Sequence, residues 1–402
     1  MTTLSARSAS AVIAVACVLL GCANGDGDPS VQAELNRVLA TRWASYASAR
    51  PDWKGGVAAY VITPRGEYFA SADLGRDVAD DIHFRGASTT KLFTASAIML
   101  LHQQGKLDID DVVTARIPGA SEPYVPDTAD YAIPYKEKIT IRALLGHRAG
   151  VFDVANTPVP ATSPFPYAGE KYPLWVKDRD DAHTFTIDEL VGVVAVNHLS
   201  YFPPGTDYHY SDTGYSLLGK IIERVSGRRY DQFVQENLVA PVGLSDTTFP
   251  HLGDDRALPP PSAAAYSYFM GVSYDVTDDP ILNNMSSLVA NGNILTTPFD
   301  LATWLRALFA GEVGLSAATL EMMTDVMPTG RDGEYGLGMI HTPGLGFGHD
   351  GGRDGYASFV SHDPERDVTI ALSARIQNAD DLPGYYEFLF DTCRAIVSEA
   401  LR

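Results

Sequence analysis

The stretch from Gly86 to Gly105 constrains this chain most. Beyond Lys91 it is almost wholly small or apolar, with Leu92, Phe93, Ala95, Ala97, Ile98, Met99, Leu100 and Leu101 in close succession. A helix that is apolar around most of its circumference must be buried on all sides, so a domain has to be wrapped around it. Gly105 stands where a helix C-cap glycine belongs. The spacing predicts a central helix starting near Ser88, with Ser88 and Lys91 one turn apart on a shared face. A lysine at the head of a buried helix is costly unless its ammonium has a partner or a task. A serine hydroxyl is a weak nucleophile until a base takes its proton, and a lysine gives up its own proton more readily when desolvated. The helix N-terminus adds a positive end and a free N–H suited to an oxyanion. A bare serine-x-x-lysine is more often an N-cap with a snorkelling lysine, so other segments have to decide.

Around this helix the pattern is mixed. A helix is expected over 31–49. Strands are expected over 57–62 and 67–72, joined by the turn Thr63-Pro64-Arg65-Gly66. A short helix and turn follow over 139–150, then a proline- and aromatic-rich segment over 152–181, long enough to be a lid or wall of a site. Helices are expected over 186–197, 213–225, 230–238, from Leu301 to Leu308, and over 315–323. Strands return at 336–341, 346–349, 356–362 and 368–373, and a helix over 385–401 closes the chain. Strand signals at both ends with helices between them predict an α/β (α+β) fold. Its antiparallel sheet is built from residues 31–115 and 285–402, with a mostly helical domain over 116–284. The segments expected to wall the site are 124–135, 152–175 and 266–274.

The N-terminus carries one basic residue, Arg7, and then an apolar run from Ala9 to Leu20, too short to span a bilayer comfortably. It reads as a secretory signal over 1–21. Gly21-Cys22 gives it a lipoprotein character, with Cys22 acylated and 22–30 as a tether; an ordinary cleaved signal is the alternative. Of the three cysteines, Cys17 would leave with the signal and Cys393 would stand alone, so no internal disulfide is expected. The histidines show no metal-binding spacing, and neither a metal nor a cofactor is expected. A formal charge of −20 argues against nucleic-acid partners and polyanionic substrates. The only membrane contact expected is the anchor at Cys22.

Two further stretches join Ser88 and Lys91: Tyr210-Ser211-Asp212 in a turn before a helix, and Gly348-His349-Asp350-Gly351-Gly352 at a strand. Together, in this order, they resemble the serine β-lactamase and penicillin-binding-protein superfamily, in the branch with class C β-lactamases, D-Ala-D-Ala carboxypeptidases and related esterases. The resemblance covers roughly Val57 to Ser373. It implies that Ser88 is acylated, that Lys91 is its base partner and that Tyr210 passes protons to the leaving group. It places His349 near Tyr210 and a substrate carboxylate, and makes the N–H groups of Ser88 and Gly352 an oxyanion hole. Asp212 stands at a substrate-binding position where the family usually has asparagine. An ionised aspartate cannot donate to a substrate carbonyl, and pairing with Lys91 would favour the charged amine. Arg353 and Arg375 are candidates to hold a substrate carboxylate, and His147 reads as structural. The resemblance implies a cell-envelope hydrolase acting on a peptidoglycan stem peptide, a β-lactam or an ester. A carboxylesterase and a slowly acylating penicillin-binding sensor are the alternatives.

Overall fold

The computed structural model describes residues 27–75, 78–330 and 333–402. The signal, Cys22 and most of the tether lie outside these residues; Pro29 already begins a helix. Helices run over Pro29–Ser48 (α1), Thr90–Gln103 (α2), Ile141–Leu145 (α3), Tyr172–Lys177 (α4), Ile187–Val196 (α5) and Asp212–Ser226 (α6). They continue over Tyr230–Val234 (α7), Pro280–Asn283 (α8), Pro298–Phe309 (α9), Ala317–Thr324 (α10) and Leu382–Ala400 (α11). Strands are Val57–Thr63 (β1), Gly66–Ala72 (β2), Phe84–Ala87 (β3), Tyr266–Phe269 (β4), Val272–Asp275 (β5), Ile294–Thr296 (β6) and Met327–Pro328 (β7). The rest are Glu334–Tyr335 (β8), Ile340–Thr342 (β9), Gly346–Arg353 (β10), Tyr356–Asp363 (β11), Val368–Ala374 (β12) and Ile376–Asn378 (β13).

The main sheet is antiparallel, in the order β2-β1-β12-β11-β10-β9-β8-β7. It joins the two ends of the chain directly, with Val57 opposite Ala374 and Ile62 opposite Thr369. β1, β11 and β12 are buried almost throughout, because successive side chains point to opposite faces and both faces are covered. Val57, Ala59 and Val61 face a core with Leu35, Leu39 and Trp43 of α1 and Leu389 and Ile396 of α11. Tyr60 and Ile62 face the other way, into a core shared with α2 and α9. In that second core Phe93 of α2 stacks on Trp304 of α9, with ring centroids 3.7 Å apart. Every residue of α2 from Thr90 to Leu101 is buried, as its composition requires.

The expected strand over 336–341 is broken. Glu334–Tyr335 and Ile340–Thr342 pair, and the residues between them make a turn. Gly338 adopts φ +79°, and a Cβ there would lie 2.2 Å from the Cβ of Ala95, so the turn sits hard against the central helix. The segment 152–181 carries the short helix α4, and 266–275 is a hairpin. β4 of that hairpin pairs with β13 in a separate small sheet. Among the described residues no helix is long and apolar enough to cross a membrane.

Candidate active site

Ser88 lies in the turn between β3 and α2. The turn is tight: Ala87 has φ +48° and the β3–β6 register shifts at Arg85/Ala87. Thr90 Oγ1 donates to the Ala87 carbonyl at 2.8 Å and accepts from the Ile294 N–H at 3.0 Å, which ties the turn to β6. On the other side β10 closes in. A Cβ on Gly351 would lie 2.2 Å from the Gly86 carbonyl oxygen and 3.2 Å from the Ser88 nitrogen, so only a glycine lets the strand pass so near the nucleophile. Ser358 of β11 donates to that same Gly86 carbonyl at 2.8 Å.

Lys91 is fully buried. Its Nζ is 3.2 Å from Ser88 Oγ, 2.6 Å from Asp212 Oδ1 and 2.8 Å from the Asn291 carbonyl. Three acceptors match the three N–H donors of an ammonium. The other oxygen of Asp212 accepts from Asn156 Nδ2 at 2.8 Å, and Asp212 does not line the cleft that Ser88 faces. Asp212 therefore meets Lys91, as its charge allows. Behind it, burial and the Asp212 charge push the Asp153 carboxyl up to about 6.

Tyr210 is hydrogen-bonded to Ser88, and its ring centroid is 4.6 Å from Lys91 Nζ. Burial, and then the Asp212 charge, hold its phenol well above the ordinary range, while the Ser88 hydrogen bond pulls the other way. It rests as a neutral phenol. The Ser211 N–H donates to His147 Nδ1 at 3.1 Å, and the His147 ring lies 4.2 Å from the Tyr210 ring, so the histidine expected to be structural orients the tyrosine segment.

Tyr335 was not singled out from the sequence. Its hydroxyl is 3.2 Å from His147 Nε2 and 3.0 Å from His349 Nε2. Because His147 Nδ1 accepts from a backbone N–H and His349 Nδ1 faces the Asp350 carbonyl, the hydrogens run one way. His147 Nε2–H donates to Tyr335, and Tyr335 donates to His349 Nε2. Both imidazoles are neutral: burial and the Lys91 charge drive His147 well below its usual value and His349 down to about 3. His349 is near Tyr210, with ring centroids 6.1 Å apart, but it is buried behind Tyr335 and does not line the cleft.

The cleft itself holds about 450 Å³ and brings together Ser88, Tyr210 and Gly352. Among the described residues its walls are Tyr208, Thr329, Gly333, Glu334, Tyr335, Ile340, Asp350, Gln377, Leu382 and Tyr386, and none comes from the expected segments 124–135, 152–175 and 266–274. The segment 152–175 still reaches the site from behind, where Asn156 donates to Asp212. Arg375 is fully buried, donating to the His83 carbonyl, and Arg353 lies against Met285 Sδ; neither lines the cleft.

A family model described as Beta-lactamase matches residues 43–388. A penicillin-binding protein of Bacillus subtilis (strain 168) is 27% identical over 316 residues, 74% of this chain and 62% of that protein. A putative D-alanyl-D-alanine carboxypeptidase of Escherichia coli (strain K12) is 26% identical over 63% of this chain and 57% of its own length. The chain thus spans about three fifths of these curated relatives. Among solved structures, a D-stereospecific amidohydrolase from Streptomyces sp. superposes with a TM-score of 0.68 at 28% identity, covering 86% of this chain and 94% of that one. The D-amino acid amidase from Ochrobactrum anthropi SV3 shares the fold with a TM-score of 0.72 at 23% identity, covering 92% and 98%.

Proposed function

The chain belongs to the beta-lactamase family, and on that premise we propose that it is a serine hydrolase that opens an amide or ester through an acyl-enzyme on Ser88. The observation that carries this is the contact of Ser88 with both Lys91 and Tyr210 at the floor of an open cleft. Ser88 Oγ bonds to the substrate carbonyl carbon. Tyr210 takes the serine proton while handing its own to the leaving group, a relay that suits a phenol held in its neutral form. The Lys91 ammonium stabilises charge that develops on either oxygen. The N–H groups of Ser88 and Gly352 receive the carbonyl oxygen. Water then breaks the acyl bond and returns the proton to Ser88.

The substrate classes that fit are those of D-Ala-D-Ala carboxypeptidases and β-lactamases. A carboxylesterase is the second reading, favoured by the Lys91–Asp212 pair, because an ester leaving group needs less proton assistance. The same proposal includes export, with Cys22 as a lipid anchor at the cell envelope. It also includes a division into a sheet-bearing part (31–115 with 285–402) and a mostly helical part (116–284).

The test is intact mass after incubation with a fluorophosphonate and, separately, a penicillin, with an ester reporter for turnover. Ser88→Ala should remove the adduct and lower turnover roughly a thousandfold or more. Lys91→Ala should cost nearly as much, and the two losses should not add. A Ser88→Ala protein that still forms the adduct would overturn the proposal.

A further inference from the structure

Three arginines meet beside the segments that carry Ser88 and Gly352. Arg85 lies on β3 before Ser88, Arg353 ends β10 next to Gly352, and Arg375 follows β12. Tyr356 gathers them. It stands opposite Arg353 in the β10–β11 register, its phenol adjoins Arg85, and its ring centroid is 5.6 Å from the Arg375 guanidinium carbon. Arg85 is 1% exposed and Arg375 0%. Arg85 Nη2 donates to the Arg256 carbonyl at 2.6 Å, Arg375 Nη2 donates to the His83 carbonyl, and Arg353 Nη1 lies against Met285 Sδ. That leaves five nitrogens, Nε of all three and Nη1 of Arg85 and Arg375, buried with no hydrogen-bond partner. Among the described residues none of the three is ion-paired. The carboxylates whose charge reaches Arg85 and Arg353 do not close on them: Asp255 and Asp354 are exposed, and Asp279 caps α8. A guanidinium keeps its charge in proteins, and a buried charge without a counter-charge is costly. Buried N–H groups are almost always hydrogen-bonded, so this cluster calls for a partner that the chain does not supply. The same positive field reaches Lys177, whose Nζ donates to the Asn284 carbonyl at 2.8 Å; burial, then the charges of Arg353 and Arg256, push its ammonium down to about 7.

We propose that Arg85, Arg353 and Arg375 form a binding site for one small inorganic anion of the halide class, which fastens the β10–β11 turn to β3. Such an ion would take up the idle N–H groups and offset part of a threefold positive charge. The donors are closed to solvent, which favours a small, singly charged ion over phosphate, because a higher charge costs more to dehydrate. Arginine, weakly hydrated and rich in donors, suits a buried role of this kind. The consequence for the acyl-enzyme site is positional. Ser88 and Gly352 offer the N–H groups of the proposed oxyanion hole, and each is close in sequence to an arginine of the cluster. An ion shared by Arg85 and Arg353 would set the spacing of those two segments. Both arginines are positioning residues in this sense, and neither lines the cleft.

The test uses the full chain in sodium gluconate, with chloride or bromide replacing gluconate at constant ionic strength so that ordinary screening is unchanged. The melting temperature of the wild type should rise by a few degrees over about a hundredfold range of halide above the dissociation constant. Arg353, half-buried, is the member of the cluster most open to replacement. Arg353→Met should lose most of the response, so its deficit against wild type should grow with halide; an arginine that merely packs would give the same deficit at every concentration. Crystals grown in bromide should show an anomalous peak between the three guanidinium groups. Should Arg353→Met fail to fold, that peak and the wild-type response decide. A melting temperature indifferent to halide, a response that Arg353→Met keeps, or ordered water in place of bromide overturns the proposal. Fluorophosphonate labelling of Ser88 in the same series separates the two readings: labelling with no halide response removes the anion and leaves the hydrolase standing.

Discussion

Lys91 has one acceptor for each of its N–H groups, and the nearest is a carboxylate. Removing one partner of a buried ion pair of this geometry leaves an uncompensated charge. Within the proposed relay, Asp212 draws the Lys91 charge away from Ser88 and Tyr210, which would make it a brake on the site. Its charge is also the second cause, after burial, that holds the Tyr210 phenol high. Asp212→Asn keeps an oxygen for Lys91 and removes the charge. Turnover of an amide reporter should rise severalfold, with a smaller gain for an ester whose leaving group needs less help. Equal or absent gains, read in steady-state kinetics, would show that Tyr210 does not limit proton delivery. Ser88 and Lys91 were legible in the sequence because their relation is local, three residues on one helix face. Asp212 was legible as an anomaly. Tyr335 was not, because its place between two histidines depends on β8 and β10 lying in one sheet, which no short spacing encodes.

At the scale of elements, β10 and the β3–α2 turn are pressed together until only Gly351 fits. Gly351→Ala should push Ser88 out of line. We expect acylation to slow by about a hundredfold, the scale of a 1 Å misplacement, with the fold retained by circular dichroism; normal acylation would show that the strand yields instead. The His147–Tyr335–His349 chain makes a second forecast. An imidazole buried in its neutral form binds no proton in the folded state, while the unfolded chain takes one below about pH 6.5. His349 therefore contributes stability that is full above that value and is lost as pH falls toward about 3. Its ring C2–H resonance should stay flat between pH 8 and pH 5, and a step near 6.5 would contradict the chain as drawn. Element types were largely legible, since hydrophobic period separates strands from helices. Boundaries near Gly338 were not, because packing against Ala95 sets that turn.

For the whole molecule, the sheet built from both ends of the chain was readable from where the strand signals fall. The covered faces of β1 agree with its nearly unbroken apolar run, while β11 and β12 also bury Ser358, Ser361, Thr369 and Ser373. The walls of the cleft were not readable: long loops announce a wall without saying which site they face. The expected anchor belongs to this scale as well. Wild-type protein should partition into detergent and Cys22→Ser should release or mis-process it, and a wild type found wholly in the aqueous phase would remove the anchor from the proposal.

β1 pairs with β12, so that Val57 meets Ala374, and the nucleophile turn is held by Gly351 and Ser358. A chain emerging from its N-terminus therefore makes Ser88 and Lys91 early but cannot assemble them until almost the last strand has followed. Contacts so distant in sequence form late and slowly. Until then the growing polypeptide has Ser88 and Lys91 without the strands that hold their turn. The site comes into being only once β10, β11 and β12 have all followed.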